Sequence, residues 1–118
     1  MPIFIDARIP VVFAPAATAG GGDAVLIEGD GAAPEGVAVA RFSVALPGHV
    51  PACACCAPRG PVAVALHGLF LARARGTAAF FSRVVVLASA AGEAAVRQAL
   101  AGDAFLAGRY RAVGRVHR

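Results

Sequence analysis

The sequence predicts an α/β domain, a small and mainly parallel sheet flanked by helices. Three observations carry this. Short apolar runs without strict alternation recur along the chain, each bounded by Pro, Gly or Asp, as expected of strands covered on both faces. Two helical segments carry recognisable end signals. The order of strand, loop, helix, strand and helix is the order that crossover connections in a parallel sheet require.

Ile9-Pro10-Val11-Val12-Phe13 is the first run and Ala24-Val25-Leu26-Ile27 the second, with loops rich in Ala, Gly, Pro and Asp after each, over 14–23 and 29–36. Val37 to Leu46 mixes apolar with small or polar residues (Val39, Arg41, Ser43) and reads as a half-exposed strand leading into a cysteine-bearing loop. A helix is expected from Pro61 to about Arg75. Pro suits the first helical position, Gly76 stands where a C-terminal cap belongs, and Arg73 and Arg75 complement the negative end of the helix dipole. Val62, Leu66, Leu69 and Phe70 give that helix one apolar face. Arg83-Val84-Val85-Val86-Leu87 is the next strand. A second helix follows Gly92, with Glu93 at its positive end, Val96 and Leu100 facing inward and Gly102 ending it; Asp103 is placed to cap a further short turn through Leu106.

At 118 residues the chain is read as one domain, 1–118, long enough for a core of its own. Its hydrophobic fraction is 58%, swollen by alanine and valine, and no uninterrupted apolar run is long enough to span a bilayer. Asp6, Pro10 and Pro15 interrupt the first twenty residues, so a signal peptide is the lesser reading and a cytoplasmic location is expected. The formal net charge of +4 is unevenly distributed. Residues 1–56 carry Arg8 and Arg41 against Asp6, Asp23, Glu28, Asp30 and Glu35. Residues 57–118 set Arg59, Arg73, Arg75, Arg83, Arg97, Arg109, Arg111, Arg115 and Arg118 against only Glu93 and Asp103. Every basic residue in the Lys+Arg total of 11 is an arginine.

The most distinctive segment is Cys53-Ala54-Cys55-Cys56, between Pro51 and Pro58, which holds all 3 cysteines of the chain. An odd number of thiols and the strain of bridging the adjacent Cys55 and Cys56 argue against a disulfide. Thiolates are strong ligands for zinc and Cu(I), so the expected use is a soft metal ion with each sulfur at about 2.3 Å from a zinc. Three ligands leave a position open, unless His49 completes the set. A redox pair of Cys53 and Cys56, or cysteines that bind nothing, are the alternatives.

From Glu28 onward these features resemble the GTP-binding domain of the CobW family of metal-insertion GTPases. There a strand ending in an acidic residue precedes a loop with a Gly-Cys-x-Cys-Cys motif, a Leu- and Arg-rich helix, an Asp-Arg-Val-Val-Ile-Glu-Thr-Thr-Gly strand, and a helix ending near Asp-Pro-x-Leu. Leu26-Ile27-Glu28-Gly29-Asp30-Gly31, Cys53-Ala54-Cys55-Cys56, Leu69 to Gly76, Phe81 to Val86 and Asp103-Ala104-Phe105-Leu106 follow the same order. Ile9 to Phe13 looks like the family's first strand. The resemblance implies a shortened P-loop GTPase-like core, with Glu28 in the place of an acidic residue near metal and nucleotide. The departures imply that no nucleotide is bound or hydrolysed. The expected phosphate loop is reduced to Gly20-Gly21-Gly22-Asp23, whose Asp23 repels phosphate, and a lysine-free chain has no P-loop lysine. Ala88-Ser89-Ala90-Ala91-Gly92 stands at the catalytic switch, and the helix after the phosphate loop is missing. That deletion is expected to leave one sheet face poorly covered, open to self-association or a protein partner.

No catalytic constellation emerges. Ser89 has no His and Asp partners at suitable spacing, and the acids form no convincing pair, so enzyme activity is not expected. His67 is expected within the first helix, offset from its apolar face, as a surface or boundary residue. Arg109 to Arg118 reads as a solvated basic tail, or in a second reading as an RNA contact with Tyr110 stacking on a base. The functional expectation is thus a zinc-binding, metallochaperone-type protein without GTPase activity. The alternatives are a module that uses the Arg-rich half to bind RNA or an acidic partner, nucleic acid being the weaker choice, and an inert remnant of a GTPase domain.

Overall fold

The computed structural model describes residues 7–14, 19–34, 36–43, 60–78 and 80–115. They form β1 (Ile9–Phe13), β2 (Asp23–Glu28), β3 (Ala38–Phe42), α1 (Pro61–Arg75), β4 (Arg83–Leu87), α2 (Ala90–Gly102), α3 (Ala104–Arg109) and β5 (Tyr110–Arg115). The strands make one five-stranded sheet in the order β3-β2-β4-β1-β5, with every neighbouring pair parallel. The α/β class with a parallel sheet and flanking helices is therefore the observed architecture.

The strand order explains where the helices lie. The β3–α1–β4 crossover and the β4–α2–α3–β5 crossover step across the sheet in the same direction, and crossovers of one hand that step one way land on one face. Val62, Leu66 and Leu69 of α1, Val96 and Leu100 of α2 and Leu106 of α3 accordingly join a single core with Val11, Phe13, Leu26, Val84 and Val86. The steps from β1 to β2 and from β2 to β3 run the other way. No helix is described in either connection. The second sheet face is nonetheless buried at Val12, Val25, Ile27 and Val85, so the broad exposed apolar face expected from the missing helix is not found on the central strands. On β3 that face emerges, with Val39 38% exposed.

Local signals account for the element ends. Pro61 opens α1, and Gly76 closes it in the left-handed region at φ 73°, its N–H donating to the carbonyls of Ala72 and Arg73. Asp103 accepts from Phe105 N–H at 2.9 Å and Leu106 N–H at 3.2 Å, the cap expected for α3. The second helix begins earlier than expected, at Ala90, because Ser89 caps it by accepting from Gly92 N–H at 3.2 Å. The half-exposed third strand covers Ala38–Phe42; the expected continuation through Leu46 lies outside the described residues.

The expected basic tail is a strand as far as it is described. Tyr110–Arg115 is β5, paired to β1 with a register shift between Val11 and Val12. Tyr110 is buried rather than presented to a base, and its hydroxyl donates to the Leu66 carbonyl at 2.7 Å. A basic, Gly-containing edge strand lacks the apolar run that marks the inner strands. His117 lies outside the described residues.

Candidate functional site

Parallel strands bring all their carboxyl ends to one side of the sheet, where ligands of open α/β folds gather. Glu28 ends β2 there, in register with Phe42 at the end of β3, while Leu87 ends the adjacent β4. The Glu28 carboxylate reaches across to the start of α2. Its Oε1 accepts from Ser89 N–H at 2.8 Å and from Ser89 Oγ–H at 2.7 Å. These bonds, that of the Ser89 side chain first and that of its N–H second, hold the Glu28 carboxyl below its ordinary pKa. The packing is close: a Cβ added to Gly92 would stand 2.5 Å from Glu28 Oε1 and 2.8 Å from Ala88 Cβ. A carboxylate of the chain itself thus sits over the positive end of α2. The sequence marks Glu28 as an acid at a strand end, but it offers Ser89 only as a nucleophile without partners, and the cap is missed. A signal for it exists in the Ser that precedes Glu93 of the first turn, ahead of the apolar positions Val96 and Leu100.

Cys53, Cys55, Cys56 and His49 lie outside the described residues. The described positions that flank their segment are Ser43, just beyond β3, and Gly60, just before α1. Both line a cavity of about 330 Å³ with Phe42, Val62, Ala99 and Gln98. Ser43 also borders a more open hollow of about 540 Å³ beside Asp30 and Arg41, where Arg41 Nη1 donates to the carbonyls of Gly29 at 3.0 Å and Gly31 at 2.8 Å. Among the described residues no group of three or more His, Cys, Asp or Glu side chains is arranged to hold a metal ion.

The glycine run is at the other end of the sheet. Gly22 has φ 85°, Asp23 N–H donates to the Gly20 carbonyl at 3.0 Å, and Ser82 N–H donates to the Gly22 carbonyl at 2.9 Å. The run is a turn that leads into the amino end of β2. Asp23 is held there by Arg83 through a two-point contact, Nε to Oδ1 at 3.0 Å and Nη2 to Oδ2 at 2.8 Å. That hydrogen-bonded pairing lowers the Asp23 pKa and raises that of Arg83.

Several arginines of the cationic half pack on the protein's own rings. Arg73 lies 4.2 Å from the Phe80 centroid and donates from Nε to the Phe81 carbonyl at 2.7 Å. Arg97 lies 4.1 Å from the Phe13 centroid, and Arg109 4.7 Å from that of Phe105. Planar guanidinium groups stack in this way better than an ammonium does, which gives one structural use for an all-arginine set. His67, in the middle of α1, is half-buried between the apolar and exposed faces, as expected, with its ring stacked on Phe105 at 4.3 Å between centroids.

Comparison of the chain with protein-family models, with curated proteins and with solved structures found no match. No helix among the described residues is long and apolar enough to cross a membrane.

Proposed function

We propose that the chain is a metal-binding protein of metallochaperone type, related in kind to the CobW proteins but without GTPase activity. It holds zinc or a similar soft ion through the thiolates of Cys53, Cys55 and Cys56 and works in the reducing cytoplasm. The observation that carries the proposal is the cysteine spacing in a segment tethered between Ser43 and Gly60, which follow and precede β3 and α1. Zinc would supply no redox chemistry at such a site. The thiolates bind it, and an open fourth position lets a recipient protein's ligand take it over.

The absence of nucleotide chemistry draws support from two features. Glu28 brings its own negative charge to the start of α2, and the glycine run is tied into a turn beside the Asp23–Arg83 pair. With no lysine in the chain, neither place offers the charge that phosphoryl transfer requires. The engagement of Arg73, Arg97 and Arg109 with aromatic rings, and of Tyr110 with Leu66, weighs against the RNA-binding alternative.

The test is metal analysis of protein purified without chelator, beside the triple Cys→Ser variant. About one zinc per chain in the parent and none in the variant supports the site. A parent that neither carries zinc nor takes it up under reducing conditions overturns it and leaves the cysteines as a remnant.

A further inference from the structure

We infer that the Asp30–Gly31 peptide is a site of spontaneous backbone isomerisation, and that Arg41 is the restraint that slows it. The chain has no asparagine, and of its aspartates Asp6, Asp23, Asp30 and Asp103 only Asp30 is followed by glycine. Glycine favours this chemistry most, because the absence of a Cβ lets its nitrogen approach the preceding side chain. The fold separates Asp30 from its counterparts in a second way. Asp23 is held by Arg83, and Asp103 Oδ1 accepts from the N–H groups of Phe105 and Leu106. Asp30 is exposed in the bend after β2, and its carboxylate has no hydrogen-bond or ion-pair partner among the described residues. The Gly31 N–H likewise donates to no group among them. Electrophile and nucleophile are thus adjacent and both uncommitted.

The step balances without a co-reactant. The Gly31 nitrogen bonds to Asp30 Cγ, its proton and the hydroxyl of the carboxyl group leave as water, and a cyclic imide remains. Water then opens either C–N bond of the imide. Opening at the Asp30 backbone carbonyl sends the chain through Cβ and Cγ and leaves the α-carboxyl as the side group, the isoaspartyl form. Closing the imide requires rotation about the Asp30 Cα–C bond until Cγ faces the Gly31 nitrogen. Arg41 opposes that rotation. Its Nη1 donates to the Gly29 carbonyl at 3.0 Å and to the Gly31 carbonyl at 2.8 Å, the groups that bracket Asp30 on either side. In the isoaspartyl form the backbone between these carbonyls is longer by a methylene group, so it cannot present both to Arg41 in the same way. The product therefore loosens the wall of the hollow that Gly29, Asp30, Arg41 and Ser43 share.

The reaction is independent of the metal site and is followed on the full chain in warm neutral buffer, with chelator and reductant present. Samples taken over weeks are digested, their isobaric peptides are separated by chromatography, and the isoaspartyl α-carboxyl is labelled by an isoaspartyl methyltransferase. Isoaspartate is expected at Asp30 and not at Asp23 or Asp103. Gly31→Ala should slow its formation about tenfold or more, because a Cβ hinders the nitrogen. The fold accepts that variant, since a Cβ at Gly31 meets nothing within 4 Å and Gly31 is not among the glycines of positive φ. Arg41→Gln should speed the reaction about threefold in native buffer and leave it unchanged in urea, where the clamp does not exist. A parent chain that forms no more isoaspartate at Asp30 than at Asp23 overturns the inference. So does a Gly31→Ala chain that reacts as fast as the parent, or an Arg41→Gln chain that reacts no faster. If Arg41→Gln does not fold, the parent alone decides the matter: it should react more slowly in native buffer than in urea, and equal rates would remove the restraint.

Discussion

Glu28 Oε1 accepts two hydrogen bonds from one residue, Ser89, whose N–H lies at 2.8 Å and whose Oγ lies at 2.7 Å. The contact ties the end of β2 to the start of α2 across 61 positions of sequence. It joins the two sides of the crevice that a ligand of this fold type would enter.

Because these bonds favour the charged form, Glu28 has a lower pKa folded than unfolded. Its contribution to stability is then complete above the ordinary carboxyl value of 4.5 and is lost as pH falls through the folded value. Urea unfolding of the parent and of Glu28→Gln, measured from neutral pH down to the acid limit of solubility, should show the parent losing its advantage over the variant below that value. Asp23, also shifted down, is common to both chains and cancels in the difference. A constant gap at all pH values would remove Glu28 from the account.

Gly92→Ala sets two effects against each other. Alanine is the better helix former by about 1 kcal/mol in a helix interior. Its Cβ, however, would lie 2.5 Å from Glu28 Oε1 and 2.8 Å from Ala88 Cβ, too close for either to stay. The clash should win, with net destabilisation of about 1–3 kcal/mol. In a Glu28→Ala background the cost should shrink, because only the Ala88 contact remains; chemical denaturation of the four chains of this cycle measures the coupling.

The inner strands were legible because burial on two faces leaves an apolar run, as in Arg83–Leu87, and α1 because Pro61 and Gly76 mark its ends. What was not legible depends on pairing at long range. β5 is an edge strand with arginines and a glycine in its run, so its composition is that of a tail until β1 lies beside it. Ser89 offered a hydroxyl without a catalytic partner, and only the fold supplies Glu28. The exposed face expected from a missing helix failed on the central strands for the same reason: a deletion read from sequence says which element is gone, not whether Val12, Val25 and Val85 are covered.

Tyr110 is the single tyrosine of the chain, so its titration can be followed directly by ultraviolet absorbance. Burial pushes its pKa well above the ordinary 10, against a smaller opposing effect of Arg73. No ionisation is expected at the usual alkaline pH of a free tyrosine until the protein itself unfolds. Tyr110→Phe should cost about 1 kcal/mol through the lost bond to the Leu66 carbonyl. An ordinary tyrosine titration in the folded protein would mean that β5 leaves its place beside β1.

Asp23 ties the amino end of β2 to that of β4. It faces Arg83 at the amino ends of β2 and β4, with side chains 11% and 33% exposed, and it also accepts from Gly20 N–H at 3.0 Å. Asp23→Asn leaves a neutral group in a two-point contact shaped for a carboxylate and should cost about 1–2 kcal/mol, a figure kept small because Arg83 retains access to water. Arg83→Lys keeps the charge but loses the planar fork, so it should fall between parent and Asp23→Asn in stability. If the glycine run were a phosphate cradle silenced by its acid, Asp23→Asn would instead gain nucleotide affinity. Equilibrium dialysis with GTP and magnesium should find none in either chain, because the run lies at the amino ends of the strands and forms a turn closed by Ser82 and Gly20.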